Sequence, residues 1–97
     1  MELIIKTAIE NKQLLSFEYK NKTRIVEPYT FGESSTGKDT LSAFQIDGGS
    51  DASANLCWRQ FAIREIKNIK LMDEKFEEIR DDYHCDNAKM NFIYWTI

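Results

Sequence analysis

Histidine is nearly missing from this chain: His84 is the only one in 97 residues. Cysteine is scarce too, with Cys57 and Cys85 alone. The two form no C-x-x-C pair. His84 beside Cys85 is no ligand set either, because adjacent residues rarely both reach one ion. No metal centre and no cofactor are expected, and His84 among Asp81, Asp82 and Asp86 reads as part of a solvated polar segment. There is no Ser-His-Asp set, no Cys-His pair at workable separation and no phosphate-cradling loop followed by Lys-Ser or Lys-Thr, so an enzyme is not expected. No apolar run approaches the ~20 residues of a membrane span. The opening Met-Glu-Leu-Ile-Ile-Lys is too short and too charged for an export signal. A cytoplasmic protein with reduced thiols is the expectation. An excess of positive charge is also lacking: the net charge is −3 and the pI about 5.1. A domain that holds DNA mainly through phosphate contacts is usually basic. Binding nucleic acid over the whole surface is therefore disfavoured, while a local basic pocket stays open.

What the chain does contain is enough for one small folded domain over residues 1–97. The hydrophobic fraction is 42%, and two Trp, four Tyr and six Phe supply bulky core material. Leu3, Ile4, Thr7, Ala8 and Leu14 recur at helical spacing, with Glu2, Lys6, Glu10 and Lys12 on the other side. Residues 2–12 are thus expected as an amphipathic helix. Residues 14–19 alternate, with Leu15, Phe17 and Tyr19 on one face, and read as a strand. Lys20-Asn-Lys22 is a polar turn in which Asn21 tolerates left-handed backbone. Residues 23–27 return as the second strand of a hairpin, and Pro28 is expected to end it for want of an amide donor.

Residues 33–39 read as a polar loop, 40–46 as a third strand and 47–54 as a Gly- and Ser-rich loop. Residues 56–63 form a fourth strand and 65–72 a fifth, with a break expected at Asn68. Asp73 is expected to cap a short helix carrying Phe76 and Ile79 as far as Asp82. Its acidic side is read as a solvated face. Residues 92–97 are expected as a final strand. One helix and about five short antiparallel strands predict a mainly β (α+β) fold: an N-terminal helix, a strongly bent five-stranded Sm-like or SH3-like barrel and a short C-terminal element.

The order of these segments resembles the WYL domain, a bacterial module with such a barrel. The matching residues are Ile5-Lys-Thr-Ala-Ile-Glu-Asn-Lys12, Leu15-Ser-Phe-Glu-Tyr19, Arg24-Ile-Val-Glu-Pro-Tyr29, Leu41-Ser-Ala-Phe-Gln45, Trp58-Arg-Gln-Phe61 and Ile66, ending near Phe76. The chain is similar in particular to short stand-alone WYL-like proteins, in Gln45, Gly48-Gly-Ser50 and Trp58-Arg59. The C-terminal pattern of Phe76, Arg80, Tyr83 and Asp86 is shared with them too. Two departures stand out. The name-giving Trp-Tyr-Leu would fall at Asp39-Thr40-Leu41, leaving only the leucine, and Tyr29 follows Pro28 where the short proteins often carry histidine. The winged helix that precedes the domain in transcription regulators finds no room in these residues.

The resemblance implies non-enzymatic ligand sensing, with a nucleotide or single-stranded nucleic acid as the ligand class. Any role in transcription regulation would pass through a separate protein partner. Arg59 is the first candidate contact, because its planar fork of donors suits phosphate oxygens and it matches a basic position of the family. Its bland alternative is an outward arginine paired with a nearby glutamate. Arg24 matches another family position, with a cross-strand carboxylate pair as its alternative. Arg64 ranks third, since alternation places it opposite Arg59. Trp58 and Phe61 fall on opposite faces, and either core packing or a platform for a base is open to each. Tyr29 faces the same choice, and Gln45 joins the candidate site. Gly48-Gly-Ser50 reads as a turn or as an anion nest. The competing function is a protein-interaction subunit or homodimer that has lost the ligand site, using the apolar end of the chain to add a strand to a partner.

Overall fold

The computed structural model describes residues 1–48, 57–80 and 90–97. Its first element, α1, is the helix Glu2–Asn11. It buries Ile5, Ala8 and Ile9, an i, i+3, i+4 stripe. The expected stripe began at Leu3, but Leu3 is 72% exposed. Leu3, Ile4 and Ile5 are consecutive, so spacing alone could not fix the helix's rotation; docking onto the sheet does. The helix stops at Lys12, whose backbone is left-handed (φ 54°) and whose amide donates to the Ala8 and Ile9 carbonyls.

Six antiparallel strands follow: β1 (Gln13–Tyr19), β2 (Lys22–Ser34), β3 (Asp39–Gly48), β4 (Cys57–Ala62), β5 (Ile66–Lys75) and β6 (Met90–Thr96). The order across the sheet is β4-β3-β2-β1-β5, and β6 also pairs with β2. The fold is therefore mainly β with an N-terminal helix, as expected. No ladder joins β4 to β5 among the described residues, so hydrogen bonding does not close the sheet into a barrel. A single 3-10 turn, Ile63–Glu65, links those two strands. The Tyr19 hydroxyl spans their ends, accepting from the Ala62 amide at 3.1 Å and donating to Glu65 Oε2 at 3.3 Å.

The β1–β2 hairpin turns on Lys20 and Asn21, both left-handed, between the paired Tyr19 and Lys22. That is the two-residue turn whose twist suits a hairpin. Asn68 is left-handed as well, at an irregularity in the β1–β5 ladder, where the sequence foresaw a break.

Two expectations fail. Pro28 does not end a strand: β2 runs on to Ser34. Along one edge of β2, β1 pairs as far as Val26 and β6 takes over at Thr30. Pro28 falls in the gap between those two ladders and stays in the sheet through its pairing with Ala43 of β3. The ladder with β3 shifts register between Pro28 and Thr30. The helix from Asp73 is also absent. β5 continues through Asp73 to Lys75, because pairing of Lys75 with Gln13 outweighs a weak cap. Residues 76–80 follow as irregular chain, and 81–82 lie outside the described residues.

The sheet is apolar on both faces. The inner face packs Leu15, Phe17, Val26, Leu41 and Phe61 against α1. The outer face carries a second cluster of Leu14, Tyr29, Phe44 and Phe76. Among the described residues no helix is long and apolar enough to cross a membrane.

Candidate functional site

Alternation on β2 places Arg24 on the inner face, directly opposite Phe17 of β1. It is only 5% exposed. A guanidinium stays protonated even when buried, so it must be met by acceptors. Its Nη1 donates to Gln45 Oε1 at 3.2 Å and its Nη2 to the Tyr19 carbonyl at 3.4 Å. The rings of Tyr19 and Phe61 lie 5.5 and 5.9 Å from the guanidinium carbon. Gln45 is fully buried on β3, opposite Val26. Arg59 lies on β4 opposite Ala43, whose side chain belongs to the inner core, so Arg59 shares the face with Arg24, Gln45 and Phe61. Arg59 is half-buried. Of the three polar side chains on this face, Arg59 is the most exposed, while Gln45 and Arg24 are buried.

Tyr29 and Trp58 lie on the other face. Their rings meet edge to face at 4.8 Å, and Trp58 also touches Phe44 at 5.3 Å. Tyr29 has no exposed surface, so it offers no platform to a base. Its hydroxyl donates to Glu27 Oε1 at 3.3 Å and accepts from the Arg80 amide at 3.0 Å. Burial, aided by the Glu27 charge, pushes its pKa up to about 12. Phe61, the partner of Trp58 in the sequence reading, is core. Arg64 is exposed in the 3-10 turn. It borders a depression of about 250 Å3 with Lys20, Lys67 and the carboxylates of Glu18 and Glu65.

The six candidates thus divide. Arg24, Gln45 and Arg59 come together on the inner face; Tyr29 and Trp58 pack on the outer face; Arg64 stands apart. Gly49 and Ser50, Tyr83, His84, Cys85 and Asp86 lie outside the described residues. No group of three or more His, Cys, Asp or Glu side chains that could hold a metal occurs among the described residues.

A larger opening, about 490 Å3, lies between α1 and β6, over Phe31 and between Leu3, Tyr94 and Trp95. From the sequence, Leu3 and Lys6 read as helix and residues 92–97 as a final strand open to a partner, with nothing to bring the two together. The signal available was β6 itself, a run of large apolar residues without the alternation of a half-buried strand. Comparison of the chain with protein-family models, with curated proteins and with solved structures gives no match.

Proposed function

We propose that this chain is a non-enzymatic binding module of the WYL type, holding a phosphate-bearing ligand through Arg59 with Arg24 behind it. The reading takes the fold as an Sm-like or SH3-like barrel. In its favour are the N-terminal helix, the strand order β4-β3-β2-β1-β5 and the 3-10 turn before β5. The observation that carries the site is the shared face of two arginines on separate strands of one sheet. Arg24 is fixed by Gln45 and Tyr19 before any ligand arrives. A cation held in place among aromatic rings loses little freedom on binding, and low local dielectric strengthens its pull on an anion. With a net charge of −3 over the whole chain, any attraction for an anion has to be local. A nucleotide or a short single strand fits those terms better than a duplex, which asks for a broad basic surface. Output to transcription would need a separate protein partner.

Fluorescence anisotropy with labelled single-stranded DNA and RNA, at low and moderate salt, tests this reading. The expected result is salt-sensitive binding that weakens about ten-fold or more in Arg59→Ala, with an unchanged circular dichroism spectrum. Binding that is absent at low salt, or equal in the variant, overturns the assignment.

A further inference from the structure

The groove between α1 and β6 has the makings of a cation site. Tyr94 and Trp95 are neighbours in sequence, yet both line it. The β2–β6 ladder explains how. Phe31 pairs with Trp95 and Gly32 with Ile93, so Tyr94 is an extra residue in β6. Such bulges re-aim side chains. The rings of Phe31 and Tyr94 meet edge to face at 5.1 Å, making floor and wall. Trp95 is held from the helix side, where its indole Nε1 donates to Glu10 Oε1 at 3.2 Å. The Tyr94 hydroxyl donates to Asp39 Oδ1 at 3.0 Å.

The charges around these rings are one-sided. Glu2 and Asp39 border the groove and Glu10 grips the indole. Glu33 lies near enough, with Asp39 and Glu2, to disfavour ionisation of Tyr94; the hydrogen bond to Asp39 is the first cause of that upward shift. Of the charged side chains that line the groove, two, Glu2 and Asp39, are carboxylates and one, Lys6, is an ammonium. Its Nζ sits 4.3 Å from the centre of the Trp95 ring. A cation over the face of a tryptophan is the strongest of the cation–π pairings. The chain itself therefore demonstrates what this ring accepts.

We propose that the groove receives a Lys or Arg side chain carried on an extended segment of a partner protein, with Lys6 as the intramolecular stand-in for that side chain. The aromatic faces take the cation, the carboxylates neutralise it, and exposed Leu3 and Phe92 cover its aliphatic stem and neighbours. Phosphates are repelled by the same carboxylates. A second copy of this chain, itself at net charge −3, is a poorer electrostatic match than a basic segment. The site is separate from the arginine face and opposite to it in sign, so neither reading depends on the other.

The test is a titration of the full 15N-labelled chain with a capped Ala-Arg-Ala-Lys-Ala peptide, followed at the Trp95 indole N–H cross-peak. A peptide with glutamate at both charged positions serves as control. The basic peptide is expected to give a saturable, salt-sensitive shift, and the acidic one none. Asp39→Asn should weaken binding about three- to ten-fold. Lys6→Met, which keeps a good helix former at an α1 position and removes the competing ammonium, should tighten it. An indole signal that the basic peptide leaves in place, or that both peptides move alike, overturns the proposal. So does a Lys6→Met chain that binds no better than the parent. Sedimentation showing a dimer that Trp95→Phe dissociates and the peptide does not disturb would assign the groove to a second copy instead.

Discussion

Arg80 grips Glu27 with both arms of its guanidinium, Nε to Oε1 at 2.9 Å and Nη2 to Oε2 at 3.1 Å, across 53 residues of chain. The same guanidinium lies 3.7 Å above the centre of the Phe44 ring. One side chain thus fastens the irregular segment after β5 to the outer face of β2 and β3. Glu27 is buried, and Arg80 is about a third exposed. Removing the arginine leaves a carboxylate in a largely apolar place.

Arg80→Ala is accordingly expected to destabilise the fold by about 1–3 kcal/mol, below the cost of breaking a fully buried pair because water still reaches Arg80. Urea unfolding measures this. Adding Glu27→Gln to that variant should recover part of the loss, since the stranded charge goes with it. A double variant no more stable than Arg80→Ala would mean that the pair acts through packing on Phe44 rather than through charge.

Stability is expected to fall at alkaline pH through Tyr29. The phenol ionises at 10.0 in free form and at about 12 in the folded chain. Between those values the folded state still holds a proton that the unfolded state has released. The contribution is therefore complete below about pH 10 and is lost as pH rises toward about 12, amounting to about 2–3 kcal/mol. Chemical unfolding across that range, compared with Tyr29→Phe, isolates it: the variant should be less stable at neutral pH and show a flatter alkaline decline. Equal slopes would place the effect elsewhere.

Gly32→Ala is expected to loosen β6. A methyl group there would run into the Phe92 carbonyl oxygen and meet Met90 Sδ at 2.7 Å and the Ile93 Cα at 3.0 Å. Two of these are backbone atoms that cannot rotate away, so the strand itself must shift, at a cost of about 1–3 kcal/mol. Hydrogen exchange should show faster exchange at β6 amides, with the β1–β2 hairpin still protected. β6 protection equal to that of the parent chain would contradict the tight approach.

Local chemistry made much of this fold legible. Alternation gave β1 and its inner face, Lys20 and Asn21 gave the hairpin, and Asn68 gave the irregularity in β5. Pro28 misled because its pairing with Ala43 and the handover from β1 to β6 are long-range facts. Asp73 misled for a related reason, since a strand partner at Gln13 decided the matter. The site was harder to read. Parity on β4 separates Trp58 from Arg59 and Phe61, but no pattern says that Tyr29 would be sealed by Trp58, Phe76 and Arg80. Tyr94 was hidden in the groove by a bulge that only its pairing with β2 creates. Lys6 looked like ordinary helix surface until Trp95 arrived from the other end of the chain.

The shared edge of β2 also bears on the order of assembly. β1 reaches it through a two-residue turn, a closure of microseconds. β6 reaches the same edge only after a loop of more than fifty residues is closed, as the Ser34–Met90 pair requires. The early half of β2 can therefore act as a nucleus while the later half waits for the chain's last strand. Perturbing β6 should hasten unfolding far more than it slows folding, making this strand the governor of the protein's lifetime rather than of its birth.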